Sequence, residues 1–241
     1  MIGLGTVINS ASIVAGGVIG HFAGKFFRPE QQESLNKACG ISVIFIAVAG
    51  AMQGMLKIDG AKIVSGKSML VVLCLALGTI IGELFGIEKE FENFGGWLKR
   101  KTGNSGDSSF VNAFVTASLT VSIGAMAIVG AVQDGLLRDF STLAVKSVLD
   151  FIIVAVMTSA MGKGAIFSAI LVFIFEGTIT LLAKLVSPVM TSAAVEYLSL
   201  IGSVLIFCIG VNLVWGKKLN VANMLPSVIL AVAAAYIPWS F

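Results

Sequence analysis

Asp150 and Glu176 each lie thirteen positions from Lys163, the centre of a Gly162-Lys163-Gly164 turn. The stretches on either side are apolar. As antiparallel membrane helices they place both carboxyls about 20 Å along the helix from the turn, at ~1.5 Å per residue. The two acids then share a depth inside the hydrocarbon, where an ionisable side chain is costly and by default marks a functional site. Acids at one depth can bind a cation or share a proton, which suits a coupled carrier. Lys146 stands one turn before Asp150 on the same helix face and can neutralise it. Glu176 has Thr180 at the same spacing. The plainer reading pairs Asp150 with Lys146 near the interface and leaves Glu176 bonded to a neighbouring helix.

The fourth apolar stretch is the most polar. Thr116, Ser118, Thr120 and Ser122 precede Gly124-Ala125-Met126, and Gln133-Asp134-Gly135 closes it. Thr116 and Thr120 share one helix face, Ser118 and Ser122 another. Such hydroxyls line a solute path or return their hydrogen bonds to the backbone. Four of them beside Gly124 suggest a lined pathway or local unwinding. Asp134 reads as a helix-end residue in water or paired with Arg138. Asn9, Gln53 and Gln133 join the hydroxyls and the two acids as pathway candidates, with interhelical hydrogen bonding as the alternative for each.

The elements that position these residues follow from composition. The 241 residues are 57% hydrophobic and 12% charged, against roughly 25% charged in a soluble domain, and the mean hydropathy is +0.99. Such a chain is an integral membrane protein in contact with the lipid bilayer. Its apolar runs are long enough for helices and lack the short alternating segments of a membrane barrel. Eight spans are expected, over 4–24, 39–56, 68–87, 110–134, 142–161, 165–185, 195–215 and 222–240. The result is an all-α polytopic bundle, one domain over 1–241, with an interfacial segment at 88–109. Basic residues are richer on the side of Lys25, Arg28 and Lys99-Arg100-Lys101 than on that of Lys57, Lys62 and Lys67. The positive-inside rule puts the first side in the cytoplasm and both termini outside. No basic region precedes the first span, so it is expected to remain in the mature chain of a bacterial inner membrane.

Two patterns bear on packing. Gly16, Gly20 and Gly24 form a glycine seam, as do Gly78, Gly82 and Gly86; such seams serve close helix packing and fit a homo-oligomer. The first three spans also align with the last three: Gly5 with Gly164, Lys25 with Lys184, Pro29 with Pro188. Five crossings separate the units, so they run in opposite directions. Inverted repeats of this kind recur in secondary transporters.

Several classes are disfavoured. His21 is the lone histidine, and Cys39, Cys74 and Cys208 show no metal or disulfide spacing. No Walker A loop is present. Neither an enzyme nor a resident metal or cofactor is expected. The basic residues are dispersed without interleaved aromatics, so nucleic acid is not an expected partner.

Further motifs carry a family likeness. Phe114-Val115-Thr116-Ala117-Ser118, Gly124-Ala125-Met126-Ala127-Ile128-Val129-Gly130 and Gln133-Asp134-Gly135-Leu136 resemble the bacterial YdfK/YqgA family. The opening Gly3-Leu4-Gly5-Thr6-Val7-Ile8-Asn9 and Lys146-Ser147-Val148-Leu149-Asp150 are similar too. The resemblance runs over nearly the whole chain. It implies a multi-spanning membrane protein and transfers no catalytic residue, since the family has no assigned activity. It also implies an amide or similar polar residue near Glu176, which makes that acid particular to this chain.

The leading expectation is a small-solute or ion transporter, proton- or cation-coupled. The alternatives are a non-transporting membrane assembly protein and a channel. Asp150 is the first choice for its centre, with Glu176 as a modifier.

Overall fold

The computed structural model of the chain describes residues 2–60 and 62–237. It is an all-α polytopic bundle. Its helices are α1 (Leu4–Gly24), α2 (Pro29–Met55), α3 (Ser68–Phe85), α4 (Ile87–Lys101), α5 (Phe110–Ser122), α6 (Ala125–Leu137), α7 (Ser141–Met161), α8 (Ser168–Leu181), α9 (Ala183–Val186), α10 (Ser192–Trp215) and α11 (Pro226–Ala234). Among the described residues, six helical segments are long and apolar enough to cross a membrane, and a seventh is a bent pair. The expected eighth span is a shorter apolar segment, Val221–Ala234; residues 238–240 of that expectation lie outside the described residues.

The first span matches its expected limits, whereas the second begins ten residues earlier, at Pro29. Hydropathy misses this start because it is polar. The local chemistry nevertheless favours a helix: Pro29 fits a first position, Glu30 suits the positive helix end, and Gln31 Oε1 accepts the Arg28 N–H at 2.8 Å. After α2 the chain makes an antiparallel hairpin of β1 (Leu56–Asp59) and β2 (Lys62–Ser65), pairing Leu56 with Ser65 and Ile58 with Ile63. Sequence periodicity did not indicate it.

The turn between α7 and α8 is real. Met161 ends α7, Gly162 takes φ 100°, and Lys163–Phe167 form a 3-10 turn. Close glycine contacts set the packing. A Cβ on Gly16 or Gly20 would stand 2.3 and 2.1 Å from the carbonyl oxygens of Phe151 and Ala155, so α1 lies against the α7 backbone. A Cβ on Gly210 would meet Ile44 at 2.6 Å and the Gly40 carbonyl at 3.0 Å, which seats α10 on α2. Gly78 and Gly82 pack α3 on Ser227 and Asn223, whereas Gly86 has open space around it and closes α3 at φ 61°. Buried apolar side chains of α5, including Phe110, Phe114 and Leu119, fill the centre between these pairs.

The segment expected at the interface is the helix α4. Acids open it and Lys99, Arg100 and Lys101 close it, an order that complements the helix dipole. Leu98 is buried, and Phe94 stacks on Trp97 and tilts against Phe114.

Candidate functional site

Four side chains from three helices meet inside the bundle. Lys146 and Asp150 come from α7, Glu176 from α8 and Asn9 from α1. All are buried, Asn9 and Glu176 completely. Lys146 Nζ bonds Asp150 Oδ2 and lies 3.6 Å from Glu176 Oε1. Asn9 Nδ2 donates to the same Glu176 oxygen at 2.9 Å. The other carboxylate oxygen, Glu176 Oε2, and the amide oxygen, Asn9 Oδ1, have no hydrogen-bond partner among the described residues. One ammonium thus faces two carboxylates. The equal distances from the turn do bring Asp150 and Glu176 to one place, with the lysine between them.

The expected fourth span is broken at this place. Its halves, α5 and α6, meet at 63°. Ile123 is extended and Gly124 adopts φ 153°, ψ 152°, a region open essentially to glycine. A helix end leaves its last carbonyls without following N–H groups. One of these, the Val121 carbonyl, accepts Lys146 Nζ at 2.7 Å. The break therefore supplies part of the charged cluster. Discontinuous helices that expose backbone carbonyls are how many secondary transporters build ion sites.

Openings approach the cluster from two ends. A cavity of about 650 Å³ is lined by Asn36, Lys37, Asn112, Asn212 and Lys217 and reaches Thr116 and Leu119 on α5. Leu119 precedes Val121 by two residues, about 3 Å of helix rise. Beside the start of α1, a mostly apolar groove of about 440 Å³ is lined by Val7, Phe173, Ile174 and Leu181, with Thr6, Thr178 and Thr180 as its polar groups. Thr6 and Thr180 touch across it, hydroxyl to hydroxyl, at 3.3 Å. Thr180 stands one turn from Glu176 on α8.

The cavity mouth is tied by polar contacts. Glu88 Oε2 accepts the Ala222 N–H at 2.9 Å, Asn223 Oδ1 accepts the Glu88 N–H at 2.7 Å, and Lys217 pairs with Glu88 at 3.0 Å and Glu92 at 2.5 Å. Burial works against the Lys217 charge, but the hydrogen bonds and charges of Glu92 and Glu88 outweigh it and hold its pKa above the ordinary lysine value. Asn212 gathers the loop after α10, accepting the Lys218 and Leu219 N–H groups at 2.9 Å.

The remaining candidates scatter. Thr116 lines the cavity wall. Thr120 returns its hydroxyl to the Thr116 carbonyl at 2.7 Å, the backbone alternative. Ser118 is buried with an unpartnered hydroxyl, and Ser122 is half-buried at the end of α5. Gln133 accepts the Thr142 hydroxyl at 2.6 Å and joins α6 to α7. Gln53 is exposed on α2 and takes no part in the cluster. Asp134 differs most from expectation. It is fully buried, and its Oδ2 accepts the Gly5 N–H at 2.9 Å. The reason is tertiary: α6 ends beside the start of α1, where a carboxylate meets the positive end of a helix dipole. The i,i+4 spacing indicates the Lys146–Asp150 pair, whereas the second contact of Lys146, with Glu176, carries no sequence signal. Glu88 and Lys217 carried no sequence signal as partners. Among the described residues, no three His, Cys, Asp or Glu side chains are grouped to hold a metal ion.

Comparison with known proteins agrees with a membrane protein. No solved structure matches this chain. The "Uncharacterized membrane protein YdfK" of Bacillus subtilis (strain 168) is 25% identical over 237 residues, covering 98% of this chain and 97% of that protein. The "Uncharacterized protein YqgA" of Escherichia coli (strain K12) is 25% identical over 245 residues, covering 98% of each. The family model described as "Protein of unknown function (DUF554)" matches residues 4–236, and the chain belongs to that family of proteins.

Proposed function

We propose that this protein carries a small solute or ion across a bacterial cytoplasmic membrane, coupled to a proton or cation. Its centre is Lys146, Asp150, Glu176 and Asn9, and we assign it no enzymatic step. The observation that supports this most is a buried charged cluster, at a broken span, lying between a cavity and an opposing groove. Helix packing around one site adds to it. The helices paired by the inverted-repeat alignment touch as antiparallel mates: α1 with α8 at Thr6–Thr180 and Asn9–Glu176, α2 with α10 at Gly54–Leu200 and Gly40–Gly210, α3 with α11 at Gly78–Ser227. Carriers built from inverted repeats hold their site near the midplane, on discontinuous helices.

The competing reading is a non-transporting assembly protein, favoured by the glycine-seated contacts. Solid-supported-membrane electrophysiology on proteoliposomes, with a panel of small polar solutes and ions, separates the two. A transient current that disappears in Asp150→Asn and Glu176→Gln supports the carrier. Silence across the panel supports assembly. Currents unchanged by both substitutions remove the cluster from the mechanism, and steady ohmic currents mark a channel.

A further inference from the structure

The cluster has more acceptors than donors. Asn9 Nδ2 donates to Glu176 Oε1 at 2.9 Å, while Asn9 Oδ1 and Glu176 Oε2 are both buried without a partner. Both orphans are acceptors when Glu176 is ionised, so neither can satisfy the other. One added proton resolves this. A carboxylic acid and a primary amide can form a closed ring of two hydrogen bonds, Nδ2–H to Oε1 and Oε2–H to Oδ1. The same proton settles the charge. Lys146 and Asp150 neutralise one another, which leaves an ionised Glu176 as an uncompensated buried charge.

Resting on the carrier reading, we propose that the coupling ion is a proton, held by Glu176 in an acid–amide pair with Asn9 and exchanged through the Thr6–Thr180 hydroxyls. A metal cation fits the site less well. The Lys146 ammonium 3.6 Å from Oε1 repels a second cation, and hard cations need about six oxygen ligands. The groups facing Glu176 are few. α7 brings Lys146 and Asp150, α1 brings the neutral Asn9 and Thr6, and α5 has no titratable residue. α6 contributes Asp134, beyond the hydroxyl pair at Gly5. Lys163 lies at the other end of the α8 segment.

These positions define a line of proton-handling groups. From Glu176, one turn along α8 leads to Thr180, whose hydroxyl meets that of Thr6 at 3.3 Å on the wall of the groove. Asp134 is next, with one carboxylate oxygen on the Gly5 N–H and the other unpartnered. When Oε2 gives up its proton to this line, the Lys146 ammonium is left between two carboxylates. It also holds the Val121 carbonyl at the broken span, so a change in its partners acts directly on the helix break. Asp150, the first choice from sequence, becomes the fixed counter-ion, and Glu176 the exchanging group.

Infrared difference spectroscopy of the protein in lipid nanodiscs, ramped from acid to alkaline pH, tests this without a solute. The expected result is a carboxylic-acid C=O band that is lost in Glu176→Gln and kept in Glu88→Gln. Asn9→Leu keeps the band but shifts it to higher frequency, because the amide bonds are gone. In Thr6→Val/Thr180→Val the band exchanges more slowly after transfer to heavy water. Absence of the band in the wild type, its survival in Glu176→Gln, an unshifted band in Asn9→Leu, or its removal by sodium or potassium at fixed pH overturns the assignment. An unslowed exchange in the double valine variant overturns the route. Solute currents without the band leave a carrier that does not use this proton. The band without any current keeps the proton site and tells against the carrier.

Discussion

α1 lies on α7 through Gly16, Gly20 and Gly24, and α2 lies on α10 through Gly40, Gly54 and Gly210. Both contacts bring backbones together by omitting Cβ atoms. Their buried contents differ. The buried residues of α2 are Gly40, Val43, Ala47 and Gly54, all apolar or small. α1 and α7 bury Thr6, Asn9, Lys146, Ser147 and Asp150. Packing alone is thus achieved without charge in one pair, and the other keeps a lysine and a carboxylate at a depth where each is expensive. The charge in the α1–α7–α8 region is therefore not explained by the need to hold helices together.

Substitutions can break or sharpen this contrast. The largest effect is expected for Lys146→Met, which leaves the buried Asp150 carboxylate without its ammonium. Removing one partner of a buried ion pair costs about 3–5 kcal/mol. Thermal unfolding in detergent should show this loss, with partial recovery in Lys146→Met/Asp150→Asn. A recovery that is absent would mean that Asp150 is not the fixed partner.

Next come Gly20→Leu and Gly210→Leu, one in each seam. Both overpack a backbone contact, at about 1–3 kcal/mol. Both should lower thermal stability, Gly20→Leu more, since a Cβ on Gly20 stands 2.1 Å from the Ala155 carbonyl oxygen, whereas one on Gly210 meets the Ile44 side chain at 2.6 Å and backbone only at 3.0 Å. Only Gly20→Leu should alter the infrared signature of Glu176, because only that seam adjoins the cluster. Equal disturbance from both would erase the distinction between the regions.

Gly124→Ala should cost about 1–2 kcal/mol, within the range for a residue forced into a glycine-only conformation. There is open space around Gly124, so the cost reflects backbone strain rather than a clash. If the break belongs to the site, this variant loses transport current while thermal stability falls little. A current reduced only in proportion to folded protein would separate the break from function.

The smallest effect is expected at the cavity mouth. Lys217→Gln removes the exposed pair with Glu92, worth at most about 1 kcal/mol and screened by salt, while the buried Glu88 keeps its bond from the Ala222 N–H. The lysine pKa is raised by folding, so its stabilisation is present below the ordinary value of 10.5 and is lost as pH rises through the folded value. The stability gap between wild type and Lys217→Gln should therefore be constant at neutral pH and close in alkaline buffer.

Much of the fold was legible in the sequence because bilayer length and apolar composition act locally along the chain. The limits of α1, the start of α3 and the α7–α8 turn follow from apolar runs and from Gly162-Lys163-Gly164. The polar beginning of α2 and the hairpin at Leu56–Ser65 carry no such signal, and hydropathy passed over both. The site divides along the same line. Asp150, Glu176 and Asn9 were conspicuous as polar groups in apolar helices. Their meeting at Lys146, and the contact of Lys146 with the Val121 carbonyl, depend on the rotation of four helices, which spacing along one helix cannot specify. Asp134 departs from its expected helix-end position for the same reason, since its partner Gly5 is 129 positions away. Gln53 shows the opposite error: its setting in an apolar run suggested a buried role, but its side chain is exposed.

The central claim is that a charged centre lies between two openings on opposite sides of the membrane. Side-specific thiol labelling in proteoliposomes addresses it most directly. Cys39, Cys74 and Cys208 are first replaced by serine. Thr116→Cys then reports on the cavity and Thr178→Cys on the groove, where Thr178 is exposed. The account predicts that an impermeant maleimide labels each from one side only, and from opposite sides. Labelling of both from the same side, or of neither, would contradict it.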